Sequence, residues 1–129
     1  MTTSNPVDRL LSCVESASWA GFDGLADDAV LDATVPGWRF VLTSGEAVRA
    51  QFAEWFRDPS ELVVKRQALP TGELVEVFLT WEEADGRHWA NQVHVLDVED
   101  GRITRDRFWC GGRWNERLAA EMGLLELVS

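Results

Sequence analysis

The chain has no tyrosine and only two cysteines, Cys13 and Cys110, in 129 residues. The first absence removes tyrosine from every list of general acids and oxyanion donors. The second excludes a disulfide framework or a Cys-rich metal site. Two reduced thiols suit a cytoplasmic protein, which is the expected location. Positive charge is scarce: 12 Lys and Arg stand against 22 Asp and Glu, a formal net charge of −10. Nucleic acids and anionic membranes need basic patches, so neither is an expected partner. No apolar run approaches the ~18 residues of a membrane span. The opening MTTSNPVDRLL lacks a basic segment leading into an apolar one, so no signal peptide is expected. No Gly-rich phosphate loop occurs; Gly111-Gly112 follows a strand but carries nothing else of such a motif.

What is present is a globular composition, 46% hydrophobic with 7 Trp, sized for a single domain over residues 1–129. Pro6 suits a first helical turn with Asn5 as its cap, and Val7, Leu10, Leu11 and Val14 recur at helical spacing over residues 6–18. A short second helix is expected over 21–27. Strands are expected at 29–35 and 38–42. Ser44 then caps a helix, GEAVRAQFAEWFR, that buries Val48, Phe52, Trp55 and Phe56 and stops at Asp58-Pro59. Long strands follow at 61–69, 73–83, 87–98 and 102–110, and Trp114 to Met122 reads as a closing helix ended near Gly123. Asp85-Gly86 and Asp100-Gly101 sit between alternating β-prone runs, the strongest short-range signal of a hairpin. Helices followed by a strand meander make an α+β domain, helices packed on one face of a curved antiparallel sheet.

GLADDAVLDATVPG, then GEAVRAQFAEWF, then four strands with DGRITRDRFW in the last hairpin, resemble the NTF2-like superfamily over about residues 6–112. That group includes steroid Δ-isomerases, SnoaL-type polyketide cyclases, scytalone dehydratase and limonene epoxide hydrolase. The resemblance implies an α+β roll whose cone-shaped, strongly curved antiparallel sheet surrounds a deep apolar pocket. It specifies a fold and no activity. Two departures narrow the chemistry. The acidic base of steroid isomerases falls on Ala33, with Asp32 one residue early, and their oxyanion tyrosine has no counterpart. No Asp-Arg-Asp set matches an epoxide hydrolase. Many members carry an "RDYFD"-like string; here it is RDRFWCG, which puts the usual acidic position on Phe108 and Asp106 two residues earlier.

Two-residue turns at both Asp-Gly pairs set a register. It places Glu76, Phe78, Thr80, Asn91, Val93, Val95, Asp106, Phe108 and Cys110 on one face. Arg105 and Arg107 share the other, and arginines usually stay wet. The first face is therefore expected to line the pocket. The opposite face carries Val75, Val77, Leu79, Trp81, Leu96 and Ile103, which suits a subunit interface and hence a homodimer. Asp106, among apolar neighbours, is the leading acid or base, its charged form disfavoured. Glu76 lies across Val95 from it, roughly 10 Å away at two strand spacings, and is its candidate partner; the plain alternative is a solvated strand-end Glu. His94 points outward in this register. A one-residue slip inverts every assignment and makes His94 the leading general base. His88, beside a turn, reads as solvated. Asn91 and Thr80 either orient a ligand oxygen or satisfy each other. Phe78, Val93, Phe108, Trp38, Trp55 and Trp89 are candidate ligand contacts, with ordinary core packing the plainer role for any one Trp. Asp27-Asp28 lacks the further oxygens a cation needs, so no metal is expected.

These residues point first to a cofactor-independent enzyme doing isomerisation, dehydration or cyclisation on a small apolar, aromatic or polyketide-like molecule. The alternatives are a non-catalytic binding protein for a hydrophobic small molecule, and a dimeric interaction domain with a vestigial pocket. Convergence of two titratable groups in one cavity separates the first from the others.

Overall fold

The computed structural model describes residues 5–121. Asn5 caps α1 (Pro6–Ser16) by accepting from the Val7 amide at 2.8 Å, and Ala17 ends it in the left-handed conformation. Val7, Leu10 and Val14 form its buried stripe. Residues 21–27 are not helical: turn and coil lead into β1 (Leu25–Val35). Gly21 has φ +79 and Leu25 is already sheet-paired to Ile103, which leaves no length for a helix. β2 (Trp38–Leu42) returns as a hairpin. Ser44 caps α2 (Gly45–Trp55) through the Ala47 amide. The Trp19 indole N–H reaches the Phe56 carbonyl at 3.1 Å, tying the α1 exit to the end of α2.

Then come β3 (Glu61–Leu69), β4 (Gly72–Glu83), β5 (Gly86–Glu99) and β6 (Arg102–Cys110), at nearly the expected bounds. Trp114 begins no helix. Trp114–Asn115 forms a short β7 against β5, and α3 covers Glu116–Glu121. The expected stop near Gly123 lies outside the described residues. Among the described residues the strands run β2-β1-β6-β5-β4-β3, with β7 also on β5. The sheet is curved, unclosed and mixed, because β1 and β6 are parallel while the other pairs are antiparallel.

The turn at Asp100-Gly101 forms as expected, with φ +53 and +75. Both values are positive, the requirement of a type I′ turn. Val98 pairs Ile103, but the next pair is Asp97 with Arg105. Thr104 is thus an extra, unpaired residue, a β-bulge. Beyond it His94 pairs Phe108 instead of Arg107, and Leu96 pairs Asp106. In β4–β5 the register is two residues from the expected one, with Glu76 opposite Val93, Phe78 opposite Asn91 and Thr80 opposite Trp89. A shift of two preserves the faces and a shift of one exchanges them. The interior face is consequently Val75, Val77, Leu79, Trp81, Ala90, His94, Leu96, Ile103, Asp106 and Phe108, all buried. The apolar side expected to pair subunits is the core, so that argument for a homodimer lapses.

Candidate functional site

One bulged residue brings together the two titratable groups that the expected register held apart. His94 Nδ1 lies 2.6 Å from Asp106 Oδ2, with the side chains 2% and 1% exposed. An ionised carboxylate only accepts, so Nδ1 then carries the proton and Nε2 is left with the lone pair that a base uses. Nε2 has no hydrogen-bond partner among the described residues. Asp106 Oδ1 is buried and likewise without one. Leu31 is the sheet partner of Asp106 on β1. The Asp106 surroundings are therefore apolar apart from the imidazole, which sequence reasoning had turned outward.

The Phe108 ring stands 4.8 Å from the His94 ring and stacks on Trp55 at 5.1 Å. Phe108 also lines a cavity of about 440 Å³. Val35, Pro36, Trp38 and Phe40 supply one wall, Gln51 and Trp55 of α2 another, and Gln92, Phe108, Cys110, Gly112 and Arg113 the rest. Its size and apolar lining match small-molecule sites. Trp38, Trp55 and Phe108, named from the sequence as candidate ligand contacts, are in its lining, with Trp38 64% exposed. His94 and Asp106 are not on the wall, but Phe108, which is, contacts the His94 ring.

Glu76, Phe78, Asn91 and Val93 do come together, but on the outer face, around a separate depression with Val63, Lys65 and Trp109. Thr80 is on that face as well, and Glu76 has no approach to Asp106 through the sheet. Trp89 is buried where β7 pairs with β5 and does not line the cavity. Phe40, Gln51 and Arg113 were missed. Phe40 had a signal, since alternation puts it on the face of Trp38. Gln51 had a weaker one, a helix position one residue before Phe52. Arg113, beyond the last long strand, had none.

His88 is not solvated. Its side chain is 12% exposed, with Nε2 2.7 Å from Asp85 and Nδ1 3.5 Å from Glu83, and its ring stacks on Trp81 at 5.7 Å. The hydrogen bond from His88 holds the Asp85 carboxyl below its ordinary 3.8. The two carboxylates approach opposite ring nitrogens, and one ligand atom from each of Glu83, Asp85 and His88 lies within 4.8 Å of the others. On β1, Asp32 points out of the core into a two-pronged contact with Arg39 at 2.7 and 2.9 Å, which lowers its pKa in the same way.

No protein-family model matches the chain, and no curated protein matches it. Solved structures do. An LEH-like epoxide hydrolase from M. tuberculosis superposes with a TM-score of 0.66 at 20% identity, covering 95% of this chain and 92% of that one. An NTF2-like protein from Anabaena variabilis gives 0.71 at 12% identity, over 83% and 84%. A protein with a ketosteroid isomerase-like fold from Catenulispora acidiphila, in complex with trimethylamine, gives 0.64 at 14% over 95% of each chain. The fold is NTF2-like; at these identities the likeness carries no activity with it.

Proposed function

We propose that the cone holds a small, flat, largely apolar molecule and performs acid–base chemistry on it, with His94 as the base and Asp106 orienting it. The observation that carries this reading is the buried 2.6 Å His94–Asp106 hydrogen bond in contact with Phe108, a residue that also lines an aromatic cavity. A carboxylate on Nδ1 fixes ring and tautomer, and leaves Nε2 to take a proton from carbon or oxygen. The reaction class is proton transfer: isomerisation, dehydration or cyclisation. Rotation of Phe108 about its side-chain bonds is the movement that joins Nε2 to the cavity. A second reading, ligand binding without turnover, is favoured by the same wall, because no imidazole or carboxylate lines the cavity while Phe108 stays in place.

A ketone with exchangeable α-protons separates the two. 2-Tetralone is flat, mostly apolar and enolisable. In D2O the protein is expected to accelerate its α-proton exchange by about 10²-fold or more, the usual scale of a general base. His94→Gln should abolish the acceleration while calorimetric binding persists. Saturable binding with no acceleration supports the binding reading alone, and absence of binding removes both.

A further inference from the structure

We infer that the ligand is anionic: a flat aromatic carboxylate whose head pairs with Arg113 while its rings lie among Trp38, Phe40, Trp55 and Phe108. This rests on the reading of the cavity as a ligand site. In a chain of net charge −10, the one fixed charge on the cavity lining is positive, and the lining contains no Asp or Glu. Arg113 is held in place before any ligand arrives. One terminal nitrogen donates to the Trp55 carbonyl at 2.6 Å, and the guanidinium carbon sits 5.5 Å from the centre of the Trp81 ring. A guanidinium has five N–H donors in a rigid fork. The carbonyl uses one, so others remain to grip a carboxylate, the geometry at which arginine excels. Trp81 is fixed in turn by stacking on His88 and by its indole N–H donating to Glu83 at 2.7 Å. The cation is thus positioned by rigid neighbours, and little ordering remains to oppose binding. Gln51 and Gln92 add neutral polar groups to the cavity lining. A neutral hydrocarbon would use the rings and waste the fork; an amine would meet a like charge.

The test compares 2-naphthoate with its neutral isostere 2-naphthamide by calorimetry at pH 7 in about 20 mM salt, where screening is weak. The naphthoate is expected to bind at least about tenfold more tightly, the scale of one charge-assisted contact, and to lose that lead as salt rises. Arg113→Gln should bring its affinity to that of the naphthamide and leave the naphthamide unchanged. Arg113→Lys should restore part of the lead. Arg117→Gln, which removes an exposed charge paired with Glu121, should change nothing and so controls for net charge. Equal affinities in the wild-type protein overturn the Arg113 assignment and leave the cavity a ligand site. Loss of both ligands in a folded Arg113→Gln variant overturns it too, since a structural role would then suffice. If neither ligand binds the wild-type protein, the cavity reading itself fails.

Discussion

Replacing His94 with leucine removes the one hydrogen-bond partner, among the described residues, of a carboxylate that is 1% exposed. Asp106 Oδ1 already has no partner among the described residues, so the substitution orphans both oxygens. Breaking a buried pair from one side costs about 3–5 kcal/mol. A domain of this size has about 5–15 kcal/mol in total, so the loss is a large share and lowers the melting temperature by roughly 10–20 °C. Asp106→Leu leaves a neutral imidazole without its acceptor, a smaller penalty of about 1–3 kcal/mol. The double variant removes both polar groups and fills the site with hydrocarbon between Leu31, Leu96 and Phe108. It should return to within about 1 kcal/mol of wild type, since apolar replacements of buried pairs are often neutral or better. Urea unfolding at pH 7, followed by tryptophan emission, gives all four corners of the cycle. The reasoning is refuted if His94→Leu costs under about 1 kcal/mol, or if the double variant is as unstable as the two single losses added together.

Phe108→Ala should cost about 3–5 kcal/mol and open the dyad to the cavity. Modification of the His94 peptide by diethyl pyrocarbonate should then speed up about tenfold or more, with His88 as the internal reference, and an unchanged rate would show that Phe108 is not the cover. Asp32 has a folded pKa below its ordinary 3.8 because Arg39 binds its charged form, so its contribution is complete above that pH and fades as pH falls through the lower folded value. Wild type should therefore lose more stability between pH 5 and pH 2 than Arg39→Gln does, and parallel urea midpoints across the titration would count against it. A side chain at Gly72 would strike the Leu96 carbonyl, which is backbone and cannot turn aside. Gly72→Ala should cost about 2 kcal/mol or more, and a urea midpoint equal to wild type would show that the strands can separate there freely.

The bounds of β2 to β6, the Asp100-Gly101 turn and both long-helix caps were legible because each has a local cause: Asn5 and Ser44 supply acceptors, and Asp100-Gly101 supplies positive φ; the turn expected at Asp85-Gly86 falls one residue earlier, with Glu83 opposite Gly86. The α+β class followed from that element order, and the NTF2-like roll from the family resemblance of GLADDAVLDATVPG, GEAVRAQFAEWF and DGRITRDRFW. The face of each strand did not follow, because parity is a non-local property. Thr104 looks like any β-prone residue, and nothing near it in sequence announces that it has no partner on β5. The inference from Arg105 and Arg107 was sound in itself: both do face away from the core, and Arg107 is exposed. What failed was carrying that parity across the bulge to β4, where it put Glu76 inside and Val75 outside. The parallel pairing of β1 with β6 was equally hidden, since it joins segments about seventy-five residues apart.

The bulge also decides which kinds of change can reach the dyad. Substitutions alter what a side chain is, and leave untouched which way it points. Only a change in chain length by one that the bulge does not take up reverses the orientation of the strand beyond it. Deletion of Thr104 would leave Val98–Ile103 and Asp97–Arg105 as consecutive regular pairs with Asp106 and Phe108 still inward, whereas one residue inserted between Arg105 and Asp106 would send Arg107 and Trp109 toward His94 and expel Asp106 and Phe108. Two large side chains, one of them charged, would then have to enter a filled core, and a chain with that insertion should show no cooperative urea transition. A sequence drifting by point substitution is thus insulated from this failure. Single-residue insertions beyond the bulge are the lesions that abolish the His94–Asp106 contact at a stroke.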